Sequence, residues 1–150
     1  MRAVNGKFFL CKVEHEIYIE GEAKHETNVY AVDAVSFGDA EKRITEYISP
    51  YCDGELDIKD IKIASFAEVF LADEEQEGKF YVAKVDFVTI DERSGKDKRV
   101  SRQMLYQAGS LDSANKMVSE SLCGSVADYD KVEIKDAKIA SVIFRDGTAI

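Results

Sequence analysis

Gly6-Lys7-Phe8-Phe9-Leu10-Cys11-Lys12-Val13-Glu14 returns in the second half of the chain as Gly78-Lys79-Phe80-Tyr81-Val82-Ala83-Lys84-Val85-Asp86. A second match, Asp60-Ile61-Lys62-Ile63-Ala64-Ser65 with Asp136-Ala137-Lys138-Ile139-Ala140-Ser141, brackets each half at its far end. The chain reads as an internal duplication. Within the first stretch Phe9, Cys11, Val13, Ile17 and Ile19 alternate with Lys12, Glu14, Glu16 and Glu20. A period of two is the mark of a half-buried strand. The offset between the copies is even, which keeps the same face inward in both.

Working outward, each copy continues in the same order. A polar turn with a glycine follows the first strand, at Glu20–Lys24 and at Asp91–Arg99, and reads as a hairpin. Beyond it the offset grows by two, so the second loop is longer by that much. The next strand places Tyr30, Val32 and Ala34 inward, matched by Met104, Tyr106 and Ala108. Ser36 and Ser110 then open helices, since a serine hydroxyl can accept from the first unpaired amides. Phe37, Ala40, Ile44, Tyr47 and Ile48 form an apolar stripe, repeated by Leu111, Ala114, Val118 and Leu122. Pro50 and Gly124 stop the helices. A third strand pattern closes each copy, Leu56–Phe70 and Val132–Phe144, with a phase shift that predicts a bulge near Asp60 and again at Asp136.

The predicted fold is α+β: two ββαβ repeats with an approximate twofold, about six mainly antiparallel strands and two helices on one face, the first strand of each repeat lying between its second and third and antiparallel to both. The first repeat spans 1–72, an acidic linker 73–78, the second repeat 79–145 and a loose tail 146–150. Two separate domains of this size would be marginal, so the repeats are expected to share one core.

The composition is that of a globular protein, 45% hydrophobic and 33% charged. A net charge of −9 argues against broad affinity for phosphate backbones. The first residues carry no long apolar stretch and no later run could span a bilayer, so the expected setting is the cytoplasm, with no membrane partner. Cys11, Cys52 and Cys123 have no CxxC spacing and read as reduced thiols, neither a disulfide framework nor a metal site.

No catalytic motif is present: no phosphate-binding glycine loop, no GxSxG and no HExxH. His15 occupies the place of Phe87 and reads as a packing residue, His25 as a turn residue and Asp33 as a solvated carboxylate. No catalytic residue and no cofactor is assigned. The candidate binding face is instead the outward side of the repeated strand: Phe8, Leu10 and Lys12, with Phe80, Val82 and Lys84. A sheet covered by helices on one side should be polar on the other, and here it starts apolar in both copies. The expected function is a non-catalytic binding or interaction protein using a protein partner or a homo-oligomer interface. The alternative is a single-stranded nucleic-acid or nucleotide platform, extended by the basic hairpin residues Lys96, Lys98, Arg99 and Arg102; a small enzyme, with His15 or Asp33 as its acid–base candidate, comes last.

Four stretches carry a family resemblance: Phe9–Val13, Val32–Phe37, Lys84–Lys96 and Ala127-Asp128-Tyr129. In this ordered series the chain resembles a family of uncharacterised small proteins, a domain of unknown function from gut Bacteroidota, their mobile elements and phages. The resemblance implies a bacterial cytoplasm and a phage-associated gene. It implies no activity for any residue.

Overall fold

A computed structural model describes residues 1–52, 54–73 and 78–150 of the chain. Among them the protein is α+β, with nine strands in two mixed sheets and two α-helices. In chain order these are β1 (Arg2–Asn5), β2 (Phe8–Ile19), β3 (Glu22–Asp33), α1 (Phe37–Ile48), β4 (Leu56–Ile63), β5 (Phe66–Leu71), β6 (Lys79–Ile90), β7 (Asp97–Ala108), α2 (Leu111–Ser121), β8 (Asp128–Asp136) and β9 (Ser141–Ile143). A 3-10 turn, Ser49–Tyr51, follows α1. By their contacts the residues fall into two compact units. The first holds Gly6–Ala64 and Ile139–Ile150, the second Met1–Asn5 and Ser65–Lys138.

In the first unit the strand order is β4-β2-β3-β9. β2 lies between β3 and β4, antiparallel to both, as the repeat pattern predicts. The β2–β3 turn is tight because Glu20 and Gly21 both take positive φ, 53° and 80°, which matches the twist of the flanking strands. Lys12 faces Asp60 while Val13 faces Ile58, so Lys59 is the extra residue of a bulge. α1 starts where Ser36 Oγ accepts from the Asp39 amide at 3.1 Å. The Asp39 carboxylate in turn accepts from the Val35 amide and from Arg43 Nε, both at 3.0 Å. The helix buries Ala40, Ile44 and Ile48 against Phe9, Cys11, Val13, Tyr30 and Val32. Phe37 stays about half exposed, its ring edge-on to Phe9, and Tyr47 is half-buried.

The second unit has the order β1-β5-β7-β6-β8. β6 lies between β7 and β8, antiparallel to both. The Asp91 amide donates to the Lys96 carbonyl at 2.8 Å, closing a loop over Glu92–Gly95 with Gly95 at φ 69°. That loop exceeds the Glu20-Gly21 turn by two positions, as the offsets indicate. Ser110 Oγ caps α2 by accepting from the Ser113 amide at 3.2 Å. Ala83, Val85, Met104, Tyr106 and Val118 pack with Phe70, whose ring stacks on Tyr106 at 4.7 Å.

The structure corrects four expectations. The third strand pattern is not one strand: it breaks at Ala64-Ser65 and again over residues 137–140. β4 and β5 therefore lie in different sheets, as do β8 and β9, and with β1 the count is nine strands rather than six. β5 runs parallel to β7, and β9 parallel to β3. The chain crosses between units at these breaks, so the contact boundaries differ from the repeat boundaries. Second, the bulge in β8 is at Val132, because Lys84 faces Glu133 and Val85 faces Lys131. Asp136 instead starts a turn, its carboxylate accepting from the Lys138 amide at 2.8 Å with Lys138 at φ 54°. Third, Asp136 stands opposite Tyr81 where Ile63 stands opposite Phe9. The strand pairing therefore makes Ile63, not Asp60, the counterpart of Asp136, and the match of Asp60–Ser65 with Asp136–Ser141 is out of register by three. Fourth, the segment 146–150 is not loose. Val142 and Ile150 exchange backbone hydrogen bonds at 3.2 and 3.0 Å, and Phe144 donates to Thr148 at 2.8 Å. This segment borders β9 much as β1 borders β5. The linker residues 74–77 lie outside the described residues.

Candidate functional site

On the expected binding face, Phe8 and Phe80 are only 1% and 3% exposed. Leu10, Val82 and Lys84 are half-buried, and of the six only Lys12 is exposed. The chain itself covers both rings, so neither can stack on a base. Val82 and Lys84 border a dimple of about 20 Å³ with Gln103, Glu133 and Lys135, too small for a nucleotide.

The basic hairpin does not converge either. Strand alternation places Arg99 and Arg102 on opposite faces of the second sheet. Arg99 Nη1 pairs with Asp130 at 2.9 Å and Asp86 at 3.8 Å. Arg102 pairs with Glu68 at 3.6 Å and lies 6.0 Å over the Phe87 ring. Lys96 and Lys98 are exposed. What reads as one basic cluster is two neutralised arginines and two solvated lysines.

Asp33 is buried rather than solvated. Its Oδ1 accepts from the Lys7 amide at 3.2 Å and pairs with Arg145 Nε at 3.2 Å. A Cβ on Gly6 would lie 2.7 Å from the same carboxylate. This is a clamp that ties residues 6–7 to the last part of the chain. Cys11 is buried, which pushes its thiol up to about 12 and keeps it protonated and inert. Cys52 and Cys123 are also free thiols.

His15 is buried between Glu26 and Leu56, its register neighbours on β3 and β4. Nε2 is 3.9 Å from Glu26, and Nδ1 is buried with no protein hydrogen-bond partner among the described residues. Phe87 fills the matching place in the second unit and packs near Tyr129. An unsatisfied buried nitrogen costs about 1–3 kcal/mol. His15→Phe is therefore expected to raise stability by about 1 kcal/mol in urea denaturation. A loss of stability would assign His15 a hydrogen bond or a ligand.

One concavity of the first unit was not legible in the sequence. It is a groove of about 360 Å³. α1 supplies Arg43, Glu46 and Tyr47, the 3-10 turn supplies Pro50 and Tyr51, and Ile143 and Gly147 form the other wall. Tyr47 leans edge-on against Tyr30 at 6.1 Å, and the Tyr51 ring lies 5.8 Å from it. Tyr51 is 68% exposed. Arg43 is committed: Nε to Asp39, and Nη1 to the Arg145 carbonyl at 2.8 Å. Tyr47-Ile48-Ser49-Pro50-Tyr51 reads in sequence as the end of a helix. The other wall comes from the last stretch of the chain, so no local pattern shows the groove.

Counted from the capping serine, Met117 stands in the second unit where Arg43 stands in the first, and Ser121 where Tyr47 stands. There Met117 and Met1 pack onto the core cluster, and Ser121 Oγ is 2.7 Å from Tyr106 Oη. A second concavity, about 310 Å³, lies between α2 and β8 beside Leu111 and Val132. Its cation, Lys131, is spent on the Asn115 carboxamide at 2.7 Å and on Ser119.

Two sheet-and-helix units completed by exchanged strands, one with an open aromatic groove, define the class of this chain. Residues 7–145 match the family described as Domain of unknown function (DUF4494), and the chain belongs to that family. Comparisons with curated proteins and with solved structures found no match. No helix among the described residues is long and apolar enough to cross a membrane.

Proposed function

We propose that the protein is a non-catalytic binding protein that takes a segment of a protein partner in the groove of Tyr47, Pro50 and Tyr51. The carrying observation is the exposed Tyr51 ring set beside Tyr47 over an open cleft. Tyrosines give large contact area for little side-chain entropy, which is why they recur at interfaces. A volume of about 360 Å³ is at the small end of ligand sites and suits one or two side chains of an extended segment. Among the described residues the lining offers ring faces and a carboxylate, with no nucleophile beside a base.

We also read the two units as products of one duplication. The hairpins, the cap serines and the β2–β4 and β6–β8 bulges support it, each recurring at nearly the same offset. On that reading the units have since diverged: Met117 fills the place that Arg43 leaves open. The phage association and the cytoplasmic setting are part of the same proposal and rest on the family resemblance.

Selection of a random peptide library on the intact protein tests the binding role. Enriched peptides should bind the wild type and lose at least about tenfold in affinity, or about 1.4 kcal/mol, to Tyr51→Ala. Peptides that bind Tyr51→Ala equally well would remove the groove from the account. A dimer in light scattering with Tyr51 at its interface would make the occupant a second copy.

A further inference from the structure

We infer that the groove recognises an arginine or lysine side chain presented on an extended peptide; this rests on reading the groove as a binding site. Arg43 is balanced by Asp39 at 3.0 Å, and Arg145 by Asp33 at 3.2 Å. Glu46 sits one helical turn from Arg43 on the same wall and is exposed. Among the described residues no ion pair engages it. The cleft therefore presents one uncompensated negative charge beside two tyrosine rings.

That combination selects a cation with an apolar stem. The methylenes of a lysine or arginine can lie along Pro50 and Ile143 while the charged head meets a ring face and Glu46. Tyr47 packs against both Tyr30 and Tyr51, at 6.1 and 5.8 Å, so a ring surface is formed before the ligand arrives. Anionic ligands are disfavoured twice over: Glu46 repels them, and Arg43 has already given its Nε–H and one Nη–H to internal acceptors. The net charge of −9 adds a long-range pull on basic partners.

The test is a titration of the full chain, followed by NMR of the tyrosine rings, with acetyl-Gly-Arg-Gly-amide and its neutral citrulline analogue. The arginine peptide should shift Tyr47 and Tyr51 saturably, with the citrulline peptide at least about fivefold weaker. Glu46→Gln, an exposed substitution that leaves the fold intact, should erase that difference. Equal binding of both peptides at these rings would overturn the choice of a cation and leave the binding role standing. No shift at either ring with either peptide would overturn both. Arginine-dependent shifts unchanged in Glu46→Gln would also overturn the inference, by placing the cation elsewhere on the acidic surface.

Discussion

A chain ending at Lys138 is expected to lose the whole first unit, although Gly6–Ala64 remains in it. β9 and the segment after it supply that unit with what it cannot make alone. Val142 and Ile143 are 0% and 2% exposed, and each large aliphatic side chain contributes about 1.5–3 kcal/mol by burial. The parallel pairing of Tyr30, Ala31 and Val32 with Ser141, Val142 and Ile143 is lost with them. So is Arg145, whose removal leaves the Asp33 carboxylate buried beside a single amide. An uncompensated buried charge costs about 3–5 kcal/mol. Against a typical total of about 5–15 kcal/mol, these losses are enough to unfold the unit. Cys11 is the reporter. It is inert in the intact protein and should become alkylated at neutral pH in the truncated one, while Val85 and Tyr106 amides in the second unit keep their protection from hydrogen exchange. If amides of Val13 and Val32 stayed protected after truncation, the exchanged strand would be dispensable.

This dependence explains which parts of the fold were legible in sequence. Alternation in Lys7–Ile19 and Lys79–Ile90, the cap serines and the hairpin loops are local signals; the strands and caps are where the sequence places them, and the loops are shorter than Glu20–Lys24 and Asp91–Arg99, with the next strands starting at Glu22 and Asp97. The central position of β2 and β6 follows from the same patterns and the handedness of the crossover. The breaks at Ala64-Ser65 and residues 137–140 are not local signals. Apolar residues continue on both sides, in Ile61, Ile63, Phe66 and Val69, so nothing in the pattern says that the chain changes sheets. The out-of-register match of Asp60–Ser65 with Asp136–Ser141 hides it further, by suggesting that both copies continue alike. Asp33 reads as solvated for a related reason. Its partner Arg145 belongs to the last stretch of the chain, and a carboxylate at a strand end looks solvated until that partner is placed. The groove depends on the same late segment, through Ile143 and Gly147.

Phe8→Ala and Phe80→Ala are each expected to destabilise the protein by about 3–5 kcal/mol, the usual range for deleting a buried aromatic side chain. The magnitude follows from their exposures of 1% and 3%: a cavity opens in a region with no solvent access. Lys12→Glu, on the same face two positions beyond Leu10, is expected to change stability by less than about 0.5 kcal/mol, since Lys12 is exposed. The contrast separates the two roles open to a repeated Phe-x-Leu/Val-x-Lys face. A stacking platform would show the reverse pattern, with ring deletions tolerated by the fold and lysine reversal abolishing a ligand. Urea denaturation of the three variants, with the midpoint and slope fitted together, reads the difference directly. A Phe8→Ala protein as stable as the wild type would return that ring to the surface groups. A loss of several kcal/mol assigns the repeated Phe-x-Leu/Val-x-Lys spacing to packing rather than to a stacking face.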